Sequence, residues 1–373
     1  MCFNSIRPMR KIILVAALAC LGSALLNGQD SASPTIGHDV EVARRNVRDV
    51  ADRLKPTTAR PPNDAVPKNW KPARTSWGDP EIEGVYTNTD EWGVPFERPA
   101  EFEGRTLDSI TPAELATVQQ ARRDALLERL ATQAPAEPGT IGWYDNLNAR
   151  NSRAWLIVDP PDGRLPPLTS AGRRRADAAA ESQSRPRATD SYADRGNYER
   201  CITRGFPGSM IPEAYGNAYQ IHQAPGWVVI RYEQIHETRV IPVDPRRYRP
   251  LAVPITSYMG YARGWWESET LVVETTRFRN EMTLSPGSVR TAFRGFDPAG
   301  LRLTERFTPV GPRAVEWSVR VDDSGTWTRP WTFAMRLTKV DASQQPYEYA
   351  CHEGNYGIRN GLAAARAAEE GRR

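Results

Sequence analysis

Val315-Glu316-Trp317-Ser318-Val319-Arg320-Val321-Asp322 and Trp331-Thr332-Phe333-Ala334-Met335-Arg336-Leu337-Thr338 alternate residue by residue. Successive side chains of an extended chain point to opposite faces, so Val315, Trp317, Val319 and Val321 share one side, with Glu316, Ser318, Arg320 and Asp322 on the other. Strands of this kind build an antiparallel sheet with one buried face. Working outward, 227–233, 238–243, 256–263, 270–278, 301–308 and 347–351 predict further strands, about eight in all with short turns between them. A meander of that length protects its edges by closing on itself. The expected fold is mainly β: an antiparallel meander over 201–359 closing into a lipocalin-like barrel, with an N-terminal Pro-rich arm and a few peripheral helices. No internal repeat is present, which excludes propellers and solenoids.

The composition agrees. The chain has 373 residues, of which 39% are hydrophobic and 25% charged, enough to bury a core and outside the disordered classes. Its 31 Pro and 27 Gly suit strands and turns better than long helices. Ahead of the barrel, Val40, Ala43, Val47, Val50 and Leu54 recur at helical spacing. From 55 to 105, eight prolines interleaved with Trp70, Trp77 and Trp92 read as an extended arm packed on the body, within a segment spanning 30–110. Thr111-Pro112-Ala113-Glu114 combines an N-cap, a proline at the first helical position and a capping-box Glu, predicting a helix over 112–131. A second helix is expected near 170–182, in an otherwise irregular segment 111–200, and a third at 360–370, closing a C-terminal segment 360–373.

At the other end, Arg7, Arg10 and Lys11 precede the apolar run Ile12–Leu26, shorter than the roughly 20 residues of a membrane span and patterned as an export signal over 1–29. Cleavage after Ala19 would leave Cys20 as a candidate lipid anchor; cleavage near Gly28-Gln29 would not. Removing 1–29 takes three positive charges and no acid, so the net +4 falls to +1. A nearly neutral mature chain without a basic stripe is not expected to bind nucleic acid. A periplasmic or secreted location follows, and no transmembrane span is expected. Cys201 and Cys351 are the two cysteines beyond the signal, and in an oxidising compartment they suggest one disulfide; two unpaired buried thiols are the alternative.

The blocks Pro225-Gly226-Trp227-Val228-Val229-Ile230, Ile235-His236-Glu237-Thr238-Arg239-Val240-Ile241-Pro242, 264–275 from Gly264-Trp265-Trp266 onward, and Tyr347-Glu348-Tyr349-Ala350-Cys351-His352-Glu353-Gly354-Asn355-Tyr356 resemble the signature blocks of a widespread, uncharacterised family of exported bacterial proteins with a lipocalin-like β-barrel C-terminal region. The resemblance covers about 200–360. It implies a compartment and a barrel, and no reaction.

Familiar catalytic strings are absent: no G-x-S-x-G elbow, no phosphate loop, no dinucleotide fingerprint. His236-Glu237 and His352-Glu353 lack the second histidine of a zincin, and with only four histidines no metal or organic cofactor is expected. What remains is a polar constellation. Glu233, His236 and Arg239 on one hairpin, with His352 and Glu353 beside Cys351, form a candidate acid–base set, His236 being the strongest single candidate. The bland alternatives are a self-paired turn and a loop-ordering role beside the disulfide. Glu305 shares a strand face with Leu303 and Phe307, which points a carboxylate inward; it needs an interior partner such as Arg239 or Arg263, or a raised pKa. Tyr258, Arg263, Trp265 and Trp266 are candidate substrate-binding residues, equally suited to the core. Two functional readings result: an exported cofactor-independent barrel enzyme of lyase, isomerase, hydratase or hydrolase type acting on a small aromatic or sugar-derived molecule, or a lipocalin-like carrier of an apolar ligand.

Overall fold

The structure is a computed structural model that describes residues 66, 69–132, 149–184, 189–213, 215–243, 255–284, 287–341, 343 and 345–371. The expected export signal, the helix over 39–54 and the first part of the Pro-rich arm lie outside these residues. The ten strands are β1 (Gly84–Thr87), β2 (Ile157–Asp159), β3 (Ala218–Ala224), β4 (Trp227–Tyr232), β5 (Thr238–Pro242), β6 (Tyr261–Glu267), β7 (Thr270–Thr276), β8 (Arg302–Gly311), β9 (Ala314–Asp322) and β10 (Trp331–Lys339). Among the described residues the α-helices are α1 (Pro112–Thr132), α2 (Ser170–Ser184), α3 (Gly287–Ala292) and α4 (Gly357–Glu370).

The sheet runs β5-β4-β3-β1-β10-β9-β8-β7-β6, with β2 paired to β10 off this path. It is a nearly closed nine-strand barrel. Every neighbouring pair is antiparallel. With an odd number of strands, the two ends of the path must run the same way, and the contact between them is indeed a parallel bridge, Val243 to Gly264. Glycine permits that close approach: a Cβ at Gly264 would stand 3.2 Å from Ile241 Cγ2 and 3.4 Å from Val243 Cγ2.

The alternating stretches behave as their pattern requires, since Trp317, Val319, Val321, Trp331, Phe333, Met335 and Leu337 are all buried. Their rings form the floor of the core: Trp317 meets Phe333 edge-on at 5.6 Å, and Phe293, just after α3, reaches Trp331 at 5.2 Å. Each such side chain contributes about 1.5–3 kcal/mol of burial free energy. The barrel is filled with side chains at this end.

The sheet also departs from the expectation. It draws β1 from the Pro-rich segment and β2 from segment 111–200, so its strands are not confined to 201–359. Both are short, and β1, four residues rich in aromatic and β-branched side chains, is too brief for a period to show. β6 begins at Tyr261, five residues later than expected, and 347–351 is not a strand. There Ala350 N donates to Glu348 O and Cys351 N to Tyr349 O, tight local turns that use the donors a ladder would need. The helix signals hold. Thr111 N donates to Glu114 Oε2 at 2.8 Å and Glu114 N to Thr111 Oγ1 at 3.3 Å, the reciprocal capping box at the start of α1.

Candidate functional site

Two polar clusters stand out, one sealed inside the barrel and one open outside its strands. In the sealed one, Glu305 on β8 and Arg239 on β5 face each other across the interior, with Arg239 Nη2 donating to Glu305 Oε2 at 2.6 Å and Nη1 to Oε1 at 3.1 Å. Trp317 Nε1 donates to Glu305 Oε1 at 3.1 Å, Thr275 Oγ1 to Glu305 Oε2 at 3.4 Å, and Arg239 also donates to Tyr232 and Thr275. The guanidinium lies 3.9 Å above the Phe206 ring. Burial would by itself lower the pKa of Arg239, but the facing carboxylate and the Tyr232 hydroxyl outweigh it and hold the group above its ordinary range. Both side chains are buried, and neither lines the open groove described next. The inward carboxylate expected at Glu305 therefore has its partner in Arg239, whereas Arg263 is on the outer face, where Glu274 binds both it and Arg302.

The open cluster sits where the Cys201–Cys351 disulfide joins residues 150 positions apart. Tyr198, three residues before Cys201, and Tyr349, two before Cys351, are brought together by that link, and Tyr215 completes a triangle. The hydroxyl oxygens are 3.4 Å apart for Tyr198 and Tyr215, 3.3 Å for Tyr198 and Tyr349, and 3.3 Å for Tyr215 and Tyr349. Tyr198 donates to Gln234 Oε1 at 3.1 Å, and Gln234 Nε2 donates to Tyr215 O at 2.9 Å. The Tyr215 and Tyr349 rings stack, 14° from parallel with centroids 6.2 Å apart. Burial first, then their neighbouring hydroxyls, raise the pKa of Tyr198; burial likewise dominates the rise at Tyr349. Both are neutral donors near pH 7. The triangle opens into a groove of about 460 Å3, also lined by Glu199, Glu348, Glu353 and Asn355.

The wall between these clusters is the 233–237 turn. Ile235 and His236 both adopt left-handed conformations, φ 60° and 44°, and Cys201 does the same at φ 56°. For a β-branched residue such as Ile235 this costs on the order of 1–3 kcal/mol, sustained here by burial of the Ile235 side chain and the bonds of Gln234. The turn leaves His236 exposed, with Nδ1 2.9 Å from Tyr349 O. A carbonyl oxygen only accepts, so Nδ1 carries a proton and donates it to Tyr349 O. Glu233 accepts from Ala218 N at 3.1 Å, and Glu237 from Thr203 Oγ1 at 2.9 Å; burial raises the pKa of both.

The sequence-based candidates thus separate. His236 bonds the main chain of Tyr349 and Glu353 lines the groove, while His352 is exposed beside the disulfide. Arg239 and Glu305 belong to the packed interior and do not join them. Trp265 and Trp266, adjacent on β6, take opposite faces: Trp265 Nε1 donates to Glu267 Oε1 on the outside, and Trp266 packs against the core. Tyr258 carries Arg279 over its ring at 4.9 Å. Tyr258, Arg263, Trp265 and Trp266 are not part of the lining of the tyrosine groove. Tyr198, Tyr215 and Gln234 were not among the candidates; the one sequence signal, a tyrosine within three residues of each cysteine, reaches Tyr198 and Tyr349 but neither Tyr215 nor Gln234.

Elsewhere Glu91 is buried against the 149–153 loop, accepting from Ser152 N and Arg336 N. Burial outweighs these bonds and the nearby Arg153 charge, and its pKa is pushed up to about 7. A second groove of about 500 Å3 lies between residues 106–115 and 152–161. Among the described residues, no group of three or more His, Cys, Asp or Glu is arranged to hold a metal ion, and no helix is long and apolar enough to cross a membrane. No family model, curated protein or solved structure matches this chain.

Proposed function

We propose that this chain is an exported binding protein whose ligand seat is the tyrosine groove at the barrel mouth, taking a small polar or cationic ligand. The observation that carries the reading is the convergence of three tyrosine hydroxyls, set from both sides by one disulfide, in a groove with acidic residues on its walls. Neutral phenols supply donors, stacked rings supply faces, and carboxylates supply charge, which together suit an amine or a hydroxylated molecule better than an apolar one. Backbone strain supports the same place: three of the five non-glycine residues at positive φ among the described residues, Cys201, Ile235 and His236, border it. An apolar ligand inside the barrel is the weaker alternative, because Trp317, Trp331, Phe307 and Phe333 fill that space.

The test is a thermal-shift screen of organic amines and sugars on the mature chain, repeated on Tyr215→Phe. A stabilising compound whose effect vanishes in the variant supports the reading; a panel that shifts both proteins equally overturns it. One observation favours a second reading, an acid–base enzyme working at the same groove: the exposed His236 bonds the main chain of Tyr349, whose hydroxyl belongs to the phenol cluster. Turnover of a groove ligand that survives His236→Ala would sink that alternative. Export itself is tested by cell fractionation with and without residues 1–29.

A further inference from the structure

Hydroxyl groups that simply hydrogen-bond to one another approach to about 2.7–2.8 Å. The three phenol oxygens stand wider than that, at 3.3–3.4 Å along every edge. A triangle of that size has its centre about 1.9 Å from each corner, and a small cation slightly above the plane reaches the roughly 2.0–2.2 Å at which oxygen ligands bind small hard metal ions. The oxygen–metal–oxygen angles would then be about 100–115°, a tripod with the metal at its apex. The open side of that tripod faces the groove, where Glu199, Glu348 and Glu353 line the wall.

From this geometry we infer that the groove is a site for a hard trivalent cation of the ferric class, bound by the deprotonated oxygens of Tyr198, Tyr215 and Tyr349. The inference rests on the groove being the ligand seat. Charge selects the metal: three phenolates balance a 3+ ion, whereas a divalent ion is a weaker competitor for three phenolic protons and is better served by carboxylates, carbonyls and water. On binding, three O–H bonds break and three metal–oxygen bonds form. Three protons pass to solvent or to the departing chelator, and the iron stays ferric throughout. Gln234 holds two of the three side chains in place before the metal enters, its Oε1 accepting from the Tyr198 hydroxyl and its Nε2 donating to the Tyr215 main-chain carbonyl; the first of these bonds is given up when Tyr198 deprotonates. The test reads bonds to the oxygens and not occupancy of the groove.

The mature, disulfide-intact protein is titrated with ferric nitrilotriacetate and followed by visible absorption, where iron–phenolate charge transfer gives a band that no tyrosine or chelate supplies. A band saturating at one equivalent supports the site. Tyr215→Phe and Tyr349→Phe are expected to weaken binding at least tenfold and to diminish the band, with Tyr347→Phe, a nearby exposed tyrosine outside the triangle, unchanged. Absence of the band in the folded wild-type protein overturns the inference, as does a band indifferent to all three variants. If amines or sugars still bind in a Tyr215-dependent manner while iron gives no band, the metal assignment falls and the groove reading stands. Should neither bind, both fall together.

Discussion

The interior cluster and the mouth cluster are built from the same kinds of residue and come to opposite ends. Inside, Arg239 and Glu305 satisfy each other in two direct bonds, with Trp317, Thr275 and Tyr232 completing the set. At the mouth, three hydroxyls share long contacts around an open space. A concentration of titratable groups is therefore a poor marker of a site by itself. Room beside the groups distinguishes the second from the first.

That contrast breaks most sharply at Glu305. Glu305→Ala strands a buried guanidinium and is expected to cost about 3–5 kcal/mol in urea unfolding, whereas the double change Glu305→Leu with Arg239→Met removes both charges and should recover most of the loss. A single variant no worse than the double would mean that the pair is not the interior's organising charge. Cys201→Ser should cost about 2–5 kcal/mol by the same measurement, through the freed 150-residue loop, and should also abolish groove binding while the far-ultraviolet spectrum of the barrel persists.

Glu91 sharpens the comparison from a third place. Its pKa lies at about 7 in the folded protein against an ordinary 4.5, so the folded state holds the proton more tightly. Stability from this group is fully present below pH 4.5 and is lost as pH rises through 7, by at most about 3 kcal/mol. Glu91→Gln should flatten the unfolding free energy between those values and leave the variant more stable than wild type at pH 8; an unchanged slope would contradict the assignment. The smallest effect belongs to the mouth. Tyr349→Phe removes hydroxyl contacts of 3.3 Å and should change stability by no more than about 1 kcal/mol, while binding at the groove is lost. A large loss of stability would place Tyr349 with the structural cluster instead.

The barrel was legible wherever a strand was long and half-buried. β8, β9 and β10 run nine or ten residues, enough for a period of two to be unmistakable. β1 and β2 were not, because a short strand in a proline-rich context leaves no period to read and is placed by partners far along the chain. The inward carboxylate at Glu305 followed from strand parity alone. His236 stood out for its residue type, and the structure sets it beside Tyr349. The tyrosine triangle was not readable, since it depends on three positions, 198, 215 and 349, whose meeting is fixed by a disulfide and a strained turn. The adjacent Trp265 and Trp266 take opposite faces, as neighbours in a strand must.

The place of β1 in the wall has a kinetic consequence. It lies between β3, the first strand after Cys201, and β10, the last before Cys351, so the covalent loop closed by the disulfide bears eight of the nine barrel strands while the ninth comes from outside it. During synthesis residues 84–87 emerge long before either neighbour exists, and the Lys339 Nζ to Glu83 O bond alone spans 256 residues. Contacts of such high order form late and slowly. Until then β3 and β10 each present an unpaired edge, and the molecule has a seam that only a strand already made, and kept waiting, can close.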